Sequence, residues 1–519
     1  MNKWLNHPWF GSKQALFFIP FLIALVTRFL FYLLDIPDYL GDAFHSWMIS
    51  VATIENDWIY SDYKGRELVW LPFHRYLVSV FMIIFSSYDM AVTDALNILL
   101  GAITCGVISL ITNRLSNRQM GLFAGITLAL TPSHVSYSNI NTPEILAGLI
   151  LSLVVYMALF KKSFWLLPLV FIGVLTKNEL TMLLVIFGGL LVLHGNWRPS
   201  LFMVAGGLLG LGVWMWWCYN QTGYPFFWLT ERAAGSRWDH LFQVAKGSYS
   251  YDLGKYSHYI ERTFPFIVVI PVIIWLCWDK VKSTLRQKRT RLVILVVWSH
   301  WIFIFFMAFY FFPTLSIRYF LFTLPLAISM LFIWLHELHG IKKKGLYLAV
   351  IIILLAAIFR QYPNAHFRRY SYAPPREVGK FIEQMSPVEG NFWIDFPVAI
   401  YYSGLPLDSF YSGKQIFVNS DPDQQWTTNL YNQLKEKRIN YIMSAPVSYS
   451  RVLNIWPQMK TREPFEWMGI WFEPVFRYDP SEHLIEEEWW WDARRNNITK
   501  RQSNATLWKL KTDYKRFNE

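Results

Sequence analysis

Long apolar runs separated by short polar connections make up most of residues 14–360. The first run, residues 14–34, reaches the length of about 20 residues that a helix needs to cross the hydrocarbon core of a bilayer. No small-residue cleavage site follows it, so we interpret it as a retained helix rather than a signal peptide. Further runs, several of them shorter, predict helices at residues 91–112, 120–130, 145–160, 164–176, 180–193, 201–219, 264–278, 292–312, 319–336 and 347–359.

Lysine and arginine residues in the short connections indicate the orientation of these helices, because short basic loops remain on the cytoplasmic side of a membrane. Placing the basic loops and the N-terminus together in the cytoplasm requires that residues 72–86 do not cross. This stretch has only about 15 residues and carries His74 and Arg75, so we interpret it as an interfacial helix on the outer face. The prediction is a polytopic α-helical membrane protein with about 11 transmembrane helices, a cytoplasmic N-terminus and interfacial helices in the first outward loop.

Beyond residue 360 the apolar runs become short and alternate with polar helical patterns. Apolar positions on one face predict helices at residues 376–385 and 429–438. Short apolar or alternating segments predict strands at residues 392–396, 415–418, 441–443 and 505–511. Strands that alternate with helices predict a small α/β domain. We therefore divide the chain into a transmembrane domain, residues 1–360, and an extracytoplasmic α/β domain, residues 361–519.

Composition supports a membrane protein and argues against a nucleic-acid-binding protein, a zinc site and a disulfide framework. Of the 519 residues, 54% are hydrophobic and 16% are charged, whereas soluble domains carry about 25% charged residues. The net charge of +12 comes from clusters between apolar runs, which is typical of topology signals, so we predict no nucleic-acid partner. The 3 cysteines lack CxxC spacing and an even count, which argues against a zinc site and a disulfide framework.

The first outward connection, residues 35–71, is rich in acidic and aromatic residues. An acidic, irregular loop in a mostly apolar protein indicates chemistry on that face. Asp42 is the leading candidate for a catalytic base, since its carboxylate can accept a proton from a substrate, although an Asp before an apolar-periodic segment also serves as a helix N-cap. His45 either orients Asp42, contacts phosphate or is a hydrogen-bonded structural residue.

Four further polar residues stand at predicted outward helix ends or inside a span. Glu144 begins an apolar helix, where it binds a substrate, supports Asp42 or stabilises the helix dipole. Lys177 and Arg318 suit a phosphate clamp, while contact with lipid headgroups is the alternative. Arg28 lies within the first span, where a charge is a functional candidate unless it extends to the interface.

Several segments, taken in order, resemble the GT-C superfamily of membrane glycosyltransferases, in particular bacterial relatives of the protein O-mannosyltransferases and the aminoarabinose transferases. Residues 42–45 (DAFH) resemble its first-loop motif of an Asp with a His shortly after. Residues 70–73 (WLPF) resemble the segment that leads into an interfacial helix. Residues 121–144 resemble a helix that ends in a Pro-containing outward turn before an acidic residue.

Two later pairs extend the resemblance. Thr176 and Lys177 resemble a TK pair, and residues 317–325 (IRYFLFTLP) resemble an Arg–Tyr pair, Arg318 and Tyr319, that opens a late helix. The chain departs from the pattern at position 43, which is Ala where many members have Glu, and at Glu144, where many have Asp.

The resemblance implies an inverting transfer of a sugar from a polyprenyl-phosphate donor to a protein, lipid or glycan acceptor on the extracytoplasmic face. A base must accept the acceptor's proton, and cations must stabilise the leaving phosphate. We assign catalytic roles to Asp42 and Glu144. We assign substrate-binding roles to His45, Lys177, Arg318, Tyr319 and Arg28. No residue is identified as a metal ligand and no cofactor is certain, and the resemblance leaves a divalent cation, Mg²⁺ or Mn²⁺, open.

Three alternatives remain at the level of sequence. A polytopic transporter or flippase favours paired halves with broken helices, and we find no internal repeat. A surface-polysaccharide polymerase or ligase has a similar composition. A structural membrane subunit without catalysis is the third. In each case the protein is integral to a membrane, which we take to be a prokaryotic plasma membrane, and contacts its lipids.

Overall fold

The structure is a computed structural model of the chain, and it describes residues 12–34, 41–60, 70–161, 163–228, 264–276, 278–310, 318–337, 340–368, 373–385, 387–416, 426–445, 452–479 and 504–512. The chain divides into two compact units. We call residues 1–36 and 68–364 the helical unit, and residues 37–67 and 365–519 the sheet unit. Each is described by itself.

The apolar runs of the helical unit form helices close to their predicted positions. Ser12, Asp89 and Asn117 each accept a hydrogen bond from a backbone amide in the first turn of a helix, which satisfies a donor that the helix itself leaves unpaired. The helices that begin in this unit are Lys13–Tyr32, Phe73–Ile84, Met90–Leu115, Arg118–Leu130, Pro132–Tyr137, Glu144–Phe160, Leu166–Val174, Asn178–Leu193, Trp197–Thr222, Val269–Leu276, Trp278–Arg286, Lys288–Tyr310, Arg318–Leu321, Leu324–His336 and Gly340–Arg368.

Three of the helical stretches that the structure describes are long and apolar enough to cross a membrane: Gln14–Tyr32, Met90–Leu115 and Trp197–Thr222. The first and third leave large apolar side chains such as Leu22 and Trp216 exposed on the protein surface, as lipid contact requires. The prediction of a membrane protein is supported by these helices. The number of spans and their orientation stay predictions.

The stretch predicted to lie at the interface forms the helix Phe73–Ile84. Its protein-facing side is partly polar, with His74 and Ser79 buried, whereas Ile83 and Ile84 are exposed. A helix with its polar residues inward and apolar residues outward suits contact with lipid tails rather than water.

The apolar run 319–336, predicted as one continuous segment, is interrupted. It forms Arg318–Leu321 and Leu324–His336, joined through Phe322 and Thr323. Pro325 lies in the first turn of the second helix, where its missing N–H costs no helical hydrogen bond. The hydroxyl of Thr323 accepts a hydrogen bond of 3.2 Å from the indole Nε1 of Trp301, which holds the interruption against the neighbouring helix.

The described part of the sheet unit contains a sheet of six strands: β1 Asn391–Trp393, β2 Phe410–Tyr411, β3 Ile439–Ser444, β4 Phe465–Trp467, β5 Ile470–Tyr478 and β6 Ala505–Thr512. Their order in the sheet is β2-β1-β3-β6-β5-β4. β1 is parallel to β2 and β3, and the other pairs are antiparallel. The helices around them are Gly41–Glu55, Ala373–Gln384, Pro397–Ser403, Gly413–Ile416, Trp426–Glu436 and Val452–Ile455.

The predicted α/β character of residues 361–519 is confirmed for the parts that are described, although two of the predicted strands differ from the structure. The strand predicted at residues 392–396 ends at Trp393. The strand predicted at residues 415–418 is wrong at its first two residues, which lie in the helix Gly413–Ile416, while residues 417 and 418 lie outside the described ones. The backbone amide of Gly413 donates a hydrogen bond of 2.7 Å to the Asp395 carboxylate, a tertiary contact that a four-residue apolar run does not reveal.

The helix Gly41–Glu55, predicted as part of the first outward loop, belongs to the sheet unit. Phe44 and Trp47 pack against Tyr401, with ring centroids 5.6 and 5.0 Å apart respectively. These aromatic contacts bury the apolar face of the helix against Pro397–Ser403. The proposed catalytic carboxylate Asp42 is therefore carried by a helix that is ordered by residues more than 300 positions later in the chain.

Candidate functional site

A buried ion pair joins two helix starts of the helical unit. The Nζ atom of Lys177 lies 2.7 Å from Oε1 of Glu144, and the side chains are 10% and 2% exposed. Glu144 is the first residue of the helix Glu144–Phe160, and Lys177 immediately precedes the helix Asn178–Leu193. Two buried charges are stable only together, because either one alone would lack the partner that offsets its loss of hydration.

Arg318 and Tyr319 from the broken helix join this pair. The Nζ atom of Lys177 lies 5.6 Å from the centroid of the Tyr319 ring, and the guanidinium carbon of Arg318 lies 5.5 Å from it. One ring thus contacts two cations through its negative π-face. Glu179 adds a second carboxylate, with Oε2 3.7 Å from Lys177.

The charges of this cluster determine its protonation. Burial alone would raise the pKa of Glu144, but the nearby cations Lys177 and Arg318 outweigh it and lower the pKa to about 2. Burial alone would lower the pKa of Lys177, but Glu144 and Glu179 outweigh it and raise the pKa. Glu144 is therefore a carboxylate and Lys177 an ammonium at neutral pH, which makes Glu144 a weak proton acceptor.

The cluster carries two cations of the kind that bind phosphate. The ammonium of Lys177 donates one hydrogen bond to Glu144. Arg318 opens its helix beside the pair, and the guanidinium fork matches two oxygens of a phosphate. The structure thus brings together four residues that were predicted separately from sequence: Glu144, Lys177, Arg318 and Tyr319.

Two further polar residues adjoin the cluster and escaped sequence analysis. His300, on the helix Lys288–Tyr310, has its ring Nδ1 3.0 Å from the hydroxyl of Thr323 and lies near Lys177 and Glu179. Asn97 donates hydrogen bonds to the backbone turn that precedes Glu144. Each stands alone within an apolar run, and such a run offers no periodicity that separates a site residue from a satisfied core residue.

Asp42 and His45 lie in the sheet unit, near the start of the helix Gly41–Glu55. The three-residue spacing places both side chains on one helical face, and both are half-buried. Asp42 falls in the first turn, where a carboxylate also stabilises the helix dipole. Catalytic and dipole roles are compatible with this position, and the catalytic role stays a prediction.

Arg28 is fully buried within the helical unit, on the helix Lys13–Tyr32. Its guanidinium nitrogens make hydrogen bonds to five groups of the protein: the Ser138 hydroxyl, the carbonyls of Ala24 and Ala129, the His134 ring and the Cys105 thiol. These contacts connect four helices, Lys13–Tyr32, Met90–Leu115, Arg118–Leu130 and Pro132–Tyr137, and Ser138, which follows the last of them. They explain why an arginine is tolerated inside a span, and its substrate-binding role stays a prediction.

Among the residues that the structure describes, no group of three or more His, Cys, Asp or Glu side chains is placed to hold a metal ion. The carboxylate of Glu144 is occupied by an ion pair with Lys177, and cationic neighbours disfavour a divalent cation. The donor set here does not fit Mg²⁺ or Mn²⁺, so we derive no catalytic step through either ion.

Neither a protein-family model nor a curated protein sequence matches the chain. Solved structures do. ArnT from Cupriavidus metallidurans in the apo state is 13% identical, with a TM-score of 0.54 over 87% of this chain and 95% of that one. ArnT bound to undecaprenyl phosphate gives a TM-score of 0.53 at 13% identity, over 86% and 95%.

The apo oligosaccharyltransferase of Archaeoglobus fulgidus is also similar, at 11% identity, with a TM-score of 0.51 over 85% of this chain and 70% of that one. At identities this low, the structural similarity establishes a shared fold and nothing more. The resemblance predicted from the sequence motifs is therefore confirmed at the level of the fold, which extends over most of the helical and sheet units.

Proposed function

We propose that this protein is a membrane glycosyltransferase that moves a sugar from a polyprenyl-phosphate donor to a protein, lipid or glycan acceptor. The observation that carries the proposal is the cluster of Lys177, Arg318 and Tyr319 around Glu144, in a chain that shares its fold with ArnT and with an oligosaccharyltransferase. Undecaprenyl phosphate is bound in one of the ArnT structures, which supports a polyprenyl phosphate as the donor's lipid.

The chemistry of such a transfer matches the charges of the cluster. An acceptor atom attacks the anomeric carbon, the bond between this carbon and the phosphate oxygen breaks, and the phosphate leaves with the electron pair. Lys177 and Arg318 stabilise the charge that develops on the phosphate, because buried donors interact with a charge more strongly than water-exposed ones do. Glu144 holds the ammonium of Lys177 in place and keeps it protonated.

The acceptor loses a proton in this reaction, and we propose Asp42 as the base that accepts it. His45, one helical turn later, is proposed to orient the carboxylate or to contact the donor. Arg28 is proposed to take part in substrate binding from within the membrane-spanning part. We further propose that the reaction takes place on the extracytoplasmic face of a prokaryotic plasma membrane, as the charge distribution of the loops predicts.

The first test compares wild type with Lys177→Met for transfer of radiolabelled sugar from mixed polyprenyl-phosphate donors to membrane acceptors. Lys288→Met is the matched control, because Lys288 is exposed and contacts only the Asn196 side chain among its described hydrogen bonds. We expect at least about a hundredfold loss of transfer for Lys177→Met, the size of effect that one charge-stabilising donor supplies, and no loss for the control.

One result would contradict the role of Lys177, and another would overturn the proposed function. Equal transfer by both variants would remove Lys177 from the site. Absence of transfer by wild type, together with absence of binding to undecaprenyl phosphate, would favour a transporter instead. The interrupted helix at Phe322 and Thr323 would then be its most informative feature.

A further inference from the structure

Asn97 connects the interfacial-type helix Phe73–Ile84 to the turn that carries Glu144. Its side-chain Nδ2 donates to the backbone carbonyl of Ile140 and, over 3.3 Å, to that of Thr142. These carbonyls belong to the turn that ends at Glu144. Asn97 is completely buried, so its two donated hydrogen bonds are not exchanged with water and hold the turn in one conformation.

His74 completes this connection from the other side. With Nδ2 of Asn97 directed at two carbonyls, its Oδ1 faces His74, and the ring Nε2 of His74 lies 3.4 Å from that oxygen. Oδ1 is an acceptor, so the ring nitrogen that faces it carries the hydrogen. The opposite nitrogen, Nδ1, is buried and has no hydrogen-bond partner among the described residues.

The same helix start also reaches the turn that carries Lys177. The backbone amide of Phe73 donates a hydrogen bond of 2.9 Å to the carbonyl of Leu175, two residues before Lys177. Phe73 therefore contacts the segment before Lys177 directly, and His74 reaches the turn before Glu144 through Asn97. We call Asn97, His74 and the amide of Phe73 the Asn97 network.

We propose that His74 and Asn97 are positioning residues that set the alignment of Glu144 with Lys177, and through Lys177 the alignment of the donor phosphate. Only the alignment of the donor phosphate rests on the proposed function. Neither residue touches the substrate. Small displacements of a binding group cost up to about a hundredfold in rate. The Asn97 network therefore affects turnover without contributing a reacting atom.

The test uses two substitutions of His74 that differ in which ring nitrogen they replace. In His74→Gln the amide reaches the position of Nε2 and keeps a donor toward Asn97. In His74→Asn the amide reaches only the position of Nδ1, and the donor is lost. Asn97→Leu removes both hydrogen bonds to the turn at similar size. Each variant is made in wild type and in Glu144→Gln.

We expect His74→Asn and Asn97→Leu to lower kcat between about tenfold and a hundredfold, and His74→Gln to remain within about threefold of wild type. In the Glu144→Gln background, the same two damaging substitutions should lower kcat by no more than about twofold further, since residues that act through one another are not additive.

Thermal unfolding midpoints of the same proteins, measured without donor, provide a readout that does not depend on transfer. His74→Asn should lower the midpoint less in Glu144→Gln than in wild type. Additive effects on both kcat and midpoint would overturn the positioning role. A larger loss of kcat for His74→Gln than for His74→Asn would also overturn the positioning role, because it would place the important contact at Nδ1. Wild type without transfer, together with a smaller effect of His74→Asn on the midpoint in Glu144→Gln than in wild type, would overturn the proposed function and leave the network intact.

Discussion

Lys177 and Glu144 are separated by 33 positions in the chain, yet their charged atoms lie 2.7 Å apart in a buried part of the helical unit. The pair ties the start of one helix to the start of another and holds an ammonium group beside Arg318 and Tyr319. Its position allows stability and activity to be separated by mutation.

Removing one partner of the pair should destabilise the protein more than removing both. Lys177→Met leaves the Glu144 carboxylate buried without its closest cation, and we expect a loss of about 3 kcal/mol in the free energy of unfolding. The double variant Lys177→Met/Glu144→Met removes both charges and should recover most of this loss. Unfolding midpoints in detergent measure both effects.

Transfer activity should not recover in the double variant, because methionine offers no donor to a phosphate. A double variant that unfolds at the same temperature as Lys177→Met would show that the two charges do not depend on each other. An active double variant would separate the pair from the reaction.

The stability that Glu144 contributes should depend on pH in a defined range. The pKa of Glu144 is lowered from 4.5 to about 2 in the folded protein, so its contribution is complete above pH 4.5 and is lost as the pH falls toward 2. We expect the unfolding midpoint of wild type to approach that of Glu144→Gln across this range. Between about pH 5 and 10 the difference between the two proteins should stay constant, since Lys177 remains protonated with its raised pKa. A difference that changes near neutral pH would contradict this assignment.

Asp42→Asn should abolish proton transfer from the acceptor while leaving the helix Gly41–Glu55 folded, because Asn is similar in size to Asp and the helix is held by the packing of Phe44 and Trp47 against Tyr401. We expect transfer to fall at least about a hundredfold, within the range that a general base supplies. Asp57→Asn is the matched control: Asp57 is exposed, and its positive φ of 50° is one that Asn also adopts. Full activity of Asp42→Asn would assign the base elsewhere, and Glu144, with its low pKa, would then have to be tested directly.

The ring of Tyr319, rather than its hydroxyl, should position the two cations. Tyr319→Phe keeps the π-face and should bind donor nearly as well as wild type. Tyr319→Leu removes the face from both Lys177 and Arg318, and we expect the KM for the donor to rise about tenfold, the size of a partly desolvated cation–π contact. The ratio of the two KM values measures the contribution of the ring. Equal KM values for Tyr319→Phe and Tyr319→Leu would show that only the size of the side chain is needed at this position.

Helix positions and the general class of this protein followed from the sequence, because both depend on residues close together in the chain. The run 201–219 is apolar over its whole length, and it lies within the helix Trp197–Thr222. Charges at helix ends predicted to face outward likewise made Glu144, Lys177 and Arg318 candidates individually, and the motif at residues 317–325 added Tyr319. Sequence motifs also indicated the resemblance that the fold confirms.

Only the tertiary structure decided which of these residues meet. The pairing of Glu144 with Lys177, the contacts of Asn97 with the turn before Glu144, and the packing of residues 41–55 against Tyr401 all join positions that are distant in sequence. Hydrophobic periodicity determines which face of a helix is buried, but the partner that covers it depends on how all the helices pack. The buried polar contacts then follow from that packing, since each buried donor or acceptor must find its partner among the groups that the neighbouring helices bring near it.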